Sequence, residues 1–242
     1  MDITSDIHSQ HISRQFNQEL EELKTHLMAM GGLVEKQVQD AVAALLESDS
    51  ELGQRVVAND RAVNDMQIKI DEECTQVLAR RQPTASDLRL VLAVIRAASD
   101  LERIGDEASK IARNAIDLID ADNGNRGFVE VRMISEHVRR MVRDALTSFA
   151  RLDTELALKL VHEDEEVDNE YKSAMRSLMT FMMEDARSIS SVLSVMWILR
   201  ALERIGDHAN NLAEYVVYLV KGLDIRHTDP EDLDKDMLEG KG

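Results

Sequence analysis

The residues best suited to chemistry in this sequence are two pairs of acids, each pair spaced four apart. Glu102 and Asp106 form one pair, Glu203 and Asp207 the other. Four residues is close to one helical turn, so on a helix the two carboxylates stand one above the other on a single face. Like charges placed so repel by roughly a few tenths of a kcal/mol unless something positive intervenes. Arg103 and Arg204, one residue along, can supply that charge. A divalent cation can too, because carboxylate oxygens suit Mg, Mn, Ca and iron. One helix cannot close such a site, so further ligands must come from a neighbour. Asp164 and Asp168 repeat the spacing, and their counterparts earlier in the chain are Asp60 and Asn64. The expected metal sites are therefore Asp60, Asn64, Glu102 and Asp106 in one place, and Asp164, Asp168, Glu203 and Asp207 in another. Asn64, standing where the other set has an acid, predicts weaker cation binding in the first. A duplicated network of structural ion pairs, or acids facing solvent, would show the same spacing.

These acids belong to a larger repetition. Leu101-Glu102-Arg103-Ile104-Gly105-Asp106 returns letter for letter as Leu202-Glu203-Arg204-Ile205-Gly206-Asp207. At an offset of 104, Val38, Asp40, Ala41, Asp49, Glu51, Leu52, Asp60 and Val63 match Val142, Asp144, Ala145, Asp153, Glu155, Leu156, Asp164 and Val167. The offset falls to 101 at the hexapeptide, so the second copy lacks three residues near Arg80–Asp87, which places a turn there. The chain reads as two copies of one unit.

The elements that must hold the acids are long helices. Leu20, Leu23, Leu27, Met30, Val34, Val38, Ala41 and Leu45 recur at helical spacing, predicting a helix over about 14–47 that Gly31-Gly32 can bend. Asp49 can cap a second over about 50–80, and Pro83 forbids its continuation. A third covers about 86–120. Asp122-Asn123-Gly124-Asn125-Arg126-Gly127 is the clearest linker. The second copy repeats the pattern at about 129–151, 154–185 and 190–221. The expected fold is all-α, two tandem pseudo-symmetric three-helix bundles, with domains at 8–121 and 128–223 and a charged, mobile tail at 224–242. Gly105 and Gly206 are expected where another helix presses close.

Composition narrows the function. With 46 acidic against 29 basic residues the net charge is −17, which argues against nucleic acid and against adhesion to an anionic membrane. No segment has the length of apolar residues that a membrane span needs, and no leader is evident, so the expected location is cytoplasmic with no direct membrane insertion. Cys74 is the sole cysteine and is expected as a buried, inert thiol. No histidine follows Glu by three, against a di-iron carboxylate oxidase, and no phosphate loop or nucleophile elbow is present. An enzyme is not expected. His208, about 100° around the helix from Asp207, is read as a surface residue. Met175, Met179, Met182 and Met183 are read as core filler. Trp197 aligns with Arg96, a swap a buried position would not accept, and is therefore a candidate partner contact.

Arg81-Gln82-Pro83-Thr84-Ala85-Ser86-Asp87-Leu88-Arg89, both copies of the hexapeptide, and Tyr218-Leu219-Val220-Lys221-Gly222 together resemble the PhoU family of bacterial phosphate-signalling proteins, over essentially 7–235. The resemblance implies paired three-helix bundles, a cytoplasmic homodimer and no catalysis. It also implies negative regulation of phosphate uptake and the phosphate-starvation regulon, by bridging the Pst transporter's ATPase subunit, PstB, to the sensor kinase PhoR. Family members hold iron, zinc, manganese or magnesium on Glu/Asp-x-x-x-Asp motifs, which fall here on Glu102/Asp106, Glu203/Asp207 and Asp164/Asp168; Asp60/Asn64 departs by one residue. Asp87, Arg89 and Arg187 lie in segments resembling the family's helix ends, where partner contact and helix capping are the two readings. A metal buffer only indirectly tied to phosphate is the alternative function.

Overall fold

The computed structural model describes residues 3–121 and 128–226, with the side chains of 3–13 left aside. Six long helices make up the described chain: α1 (Ile3–Leu46), α2 (Ser50–Arg81), α3 (Ala85–Asp120), α4 (Phe128–Arg151), α5 (Thr154–Glu184) and α6 (Ile189–Lys221). A single 3-10 turn, Ala186–Ser188, leads into α6. The expected all-α pair of three-helix units is what forms. The expected linker, Asp122–Gly127, lies outside the described residues.

The turns that fold each unit back are themselves duplicated. Ser48 (φ 57°) and Leu152 (φ 54°) occupy the left-handed region at the ends of α1 and α4. The next amides reach back to carbonyls five residues earlier, Asp49 to Ala44 and Asp153 to Ser148, both at 2.9 Å. This is the helix-ending arrangement that glycine usually serves. Asp49 then accepts from the Leu52 amide at 2.8 Å, and Asp153 from those of Glu155 and Leu156 at 3.1 and 3.0 Å. One side chain thus satisfies donors that the first helical turn would otherwise leave orphaned.

The core is one continuous apolar interior in which α3 and α6 are central, each packing against its own two companions and against the other. α3 and α6 run antiparallel: Arg89 meets Leu219, Asp100 meets His208, and Glu107 meets Arg204. α1 passes through Gly31-Gly32 without interruption. A Cβ on Gly31 would stand 2.3 Å from Leu146 Cδ2, so this glycine admits α4 against α1 rather than ending a helix. Residues 223–226 continue from α6 past the expected start of the tail, the rest of which, 227–242, lies outside the described residues. Ile225 is buried, and Arg226 pairs with Asp224. Cys74 is fully buried, and burial pushes its thiol up to about 12, as an inert core residue requires.

Candidate cation clusters between helices

In the second half, Asp164 and Asp168 of α5 face Glu203 and Asp207 of α6 across the helix pair. Gly206 faces Val167 between them, where an added Cβ would meet Val167 Cγ1 at 3.6 Å, an ordinary contact. Asn210, one turn beyond Asp207, donates to Asp164 Oδ2 at 3.3 Å. Glu203 is 7% exposed and takes Arg200 Nη1 on Oε1 at 2.5 Å, while its Oε2 is buried with no partner. Asn210 Oδ1 is likewise buried and unpartnered. The electrostatics follow from crowding. Burial, then the charges of Asp207 and Asp168, push Asp164 up to about 6. Burial, then Asp207, push Glu203 up to about 7 against the pull of Arg200. Asp207 is exposed at the surface, yet partial desolvation and then the charge of Asp168 raise it too.

The first half has the same frame with different contents. Asp60 and Asn64 of α2 approach Glu102 and Asp106 of α3 across Gly105, where an added Cβ would stand 3.3 Å from Val63 and 3.4 Å from Gln37 Oε1. An added Cβ here would require Val63 to give by a few tenths of an ångström, whereas Gly206 has ordinary room, so the tighter of the two expected approaches is at Gly105. Burial and the charges of Asp106 and Asp60 raise Glu102. Gln37 is 4% exposed and points into this cluster, its Nε2 donating to Asp60 Oδ1 at 3.2 Å, Ser109 Oγ at 3.3 Å and the Gly105 carbonyl at 3.4 Å. Gln37 Oε1 and Asn64 Oδ1 are buried without partners.

The eight expected ligand residues are thus gathered into two clusters. Among the described residues no three His, Cys, Asp or Glu side chains are placed to hold a metal ion as they stand. The donor set still fits a hard cation. Every candidate atom is an oxygen, two per cluster are buried and unpartnered, and the carboxylates crowd one another. Zinc, which favours nitrogen and sulfur, fits less well.

Other expectations fare unevenly. His208 is not a surface residue. Rotated about 100° from Asp207, which faces α5, it meets α3 instead and is 8% exposed. Its Nδ1 lies 2.9 Å from Asp100 Oδ1, and the same buried carboxylate accepts from Tyr215 Oη at 2.7 Å and Asn211 Nδ2 at 3.3 Å. Met179 and Met183 are exposed rather than core. Trp197 is 64% exposed. Its counterpart Arg96 lies over the rings of Tyr215 and Tyr218, at 6.0 and 5.6 Å from their centroids, whereas the residues equivalent to those tyrosines are Asn114 and Asp117. Position 197 therefore has no aromatic pair to rest on. Arg89 donates from Nε to the Leu219 carbonyl at 3.4 Å beside Gly222, tying α3 to the end of α6. Asp87 lies in the first turn of α3, where its charge suits the helix dipole. The Arg187 side chain is exposed and pairs with Asp185 at 3.3 Å. Sequence reasoning missed Gln37, Ser109 and Glu214, the last pushed up to about 7 by burial. It missed Asn210 as well, although that residue's place three beyond Asp207 was a usable signal.

The PhoU domain description matches this chain twice, over residues 27–115 and 131–216. The chain belongs to the PhoU family. A Pseudomonas putida PhoU homolog, named as a phosphate-specific transport system accessory protein, is 61% identical over 90% of this chain and 85% of its own. The Escherichia coli K12 PhoU of the same name is 46% identical over 96% of each. The crystal structure of PhoU from Pseudomonas aeruginosa aligns with a TM-score of 0.84 at 58% identity, covering 86% of this chain and all of that one. PhoU from Streptococcus pneumoniae, titled a phosphate transport system regulatory protein, gives 0.80 at 29% identity over 86% and 98%. Among the described residues no helix is long and apolar enough to cross a membrane.

Proposed function

We propose that this chain is a negative regulator of phosphate uptake and of the phosphate-starvation regulon. It works as a non-enzymatic cytoplasmic adaptor between the Pst transporter's ATPase subunit PstB and the sensor kinase PhoR, and it acts as a homodimer. What carries the reading is membership of the PhoU family in both halves, together with relatives at 46–61% identity named as phosphate transport accessory proteins. Long helices around one interior make a stiff body. Docked on one state of a kinase or transporter, such a body shifts that protein's population toward the state it fits. Asp164, Asp168, Glu203 and Asp207 would be the residues to hold a divalent cation between α5 and α6, and it would supply positive charge to carboxylates that otherwise repel; Mg, Mn or Fe would suit these oxygens better than Zn. Affinity capture from phosphate-replete cells tests the adaptor role. Recovery of the kinase and the ATPase is expected, and recovery of neither would overturn it.

The carboxylate cluster favours a second reading, a metal buffer whose tie to phosphate is indirect. Elemental analysis across cells grown at graded metal supply separates the two. Metal content that tracks supply, with loss of function after Glu203→Ala and Asp207→Ala, would favour the buffer; phosphate control that survives both substitutions would favour the adaptor.

A further inference from the structure

Large apolar residues left outside the core are not scattered evenly. Eleven stand exposed among the described residues, and five of them, Met179, Met183, Ile189, Leu193 and Trp197, flank the Ala186–Ser188 turn on α5 and α6. The two helices run antiparallel, with Asn210 against Asp164, Gly206 against Val167 and Arg200 over the Tyr171 ring. Carried toward the turn, the same pairing sets Leu193 beside Met179 and Ile189 beside Met183. The first copy has Thr75, Ala79, Leu88, Leu92 and Arg96 at these positions, so the repeat itself does not call for an apolar face. On α6, Ile189, Leu193 and Trp197 stand four apart in one line, which Arg200 and Arg204 continue. Both arginines are exposed, as is Arg103 across the seam. Each spends only part of its five donors on an acid, Glu203, Glu107 and Asp100 in turn. Asp207 turns away from this line, toward α5. The face is thus apolar at one end and basic along its length, in a chain of net charge −17.

The last described residues head onto this face. Past Gly222 (φ 76°) the backbone reverses: Ile225 is buried, and Arg226 lies within electrostatic reach of Glu214 and Tyr215. Tyr215 and Trp197 are eighteen residues apart, about five helical turns, so they share one line of α6 at a separation of about 27 Å. Eleven extended residues span up to about 36–40 Å, so Met237 can reach Trp197 from Arg226. Residues 227–242 carry six acids against two lysines, and their large apolar members are Leu233, Met237 and Leu238. The order matches as well. Five of the acids precede Met237-Leu238, as Arg204 and Arg200 precede Trp197 and Leu193 on the way along α6 from Tyr215.

We propose that residues 227–242 fold back along α6 of the same molecule, with their acids on Arg103, Arg200 and Arg204 and with Met237 and Leu238 on Trp197 and Leu193. Tethered so closely, the segment acts at an effective concentration of the order of mM, and weak contacts suffice to hold it. A partner that uses Trp197 then has to displace it. This contact goes beyond the adaptor reading and does not depend on it.

Trp197 is the only tryptophan, so its fluorescence reports on this face alone. In the full chain, Leu233→Ser with Met237→Ser and Leu238→Ser is expected to raise the acrylamide quenching constant roughly twofold or more and to move emission to the red, because the ring loses its apolar cover. Asp232→Asn with Asp234→Asn and Asp236→Asn should give a smaller rise, from the lost pairing with arginine. Equal quenching in the unmodified chain and the serine variant would overturn the proposal. Protection that fades on dilution would overturn it too, since it would assign the cover to a second copy of the chain.

Discussion

Glu203 and Asp164 show how far a folded chain can hold acids away from their ordinary behaviour. Folding raises their pKa values to about 7 and about 6, first by burial and then by neighbouring carboxylates. An acid raised by folding keeps a proton in the native state that the unfolded chain releases. Its penalty is absent below the ordinary carboxylate range and grows as pH rises through the folded pKa. The metal-free protein should therefore lose melting temperature between pH 5 and 8, and Glu214, raised to about 7, acts in the same direction. Mn2+ should flatten the slope, since an ion then does what the proton did. A melting temperature that stays level or climbs over this range in chelator would contradict the assignment. Asp164→Asn removes one crowded charge while keeping an acceptor for Asn210. At pH 8 it should stabilise the metal-free protein by about 1 kcal/mol, roughly 2–4 °C in a melting scan, and should reduce Mn2+ affinity.

The helices set what these residues can reach, and the seam between α3 and α6 is the clearest case. Asp100 is buried there with three donors from the other half: His208, Asn211 and Tyr215. Asp100→Ala leaves those groups unpaired in the interior, so a loss of about 2–4 kcal/mol is expected by denaturant melts. Tyr215→Phe removes one bond only and should cost about 1 kcal/mol. Very little of this seam was legible beforehand. Residues 100 and 208 lie in different copies, and no local spacing joins them. Helix bodies were legible from their apolar period, and the predicted bounds of α2 to α6 lie within a residue or two. The caps at Asp49 and Asp153 follow from residue type. The turns they complete do not, because Ser48 and Leu152 take the left-handed conformation without the glycine that announces it. The acidic pairs were legible because two carboxylates four apart must share a helical face. Gln37 was not, since a lone amide in an apolar stripe follows no pattern until another helix is laid against it.

At the scale of the whole molecule, the chain left outside the shared core is acidic overall, yet eleven large apolar residues stand exposed among the described residues. Trp197 is the largest of them. Trp197→Arg restores the residue type of the other copy and should change melting by less than about 0.5 kcal/mol, as an exposed substitution does. The same variant should weaken capture of the kinase or ATPase if that face docks a partner. Equal capture with intact folding would count against the contact. The interior holds a further consequence. Because Cys74 is the only sulfhydryl in the chain and is sealed within the core, the native protein offers nothing for maleimide or nitroxide reagents to attach to. A single cysteine placed on α5 or α6 would carry a spectroscopic probe at one known address, and the spacing of those two helices could be followed as manganese arrives, with no background from the natural sequence.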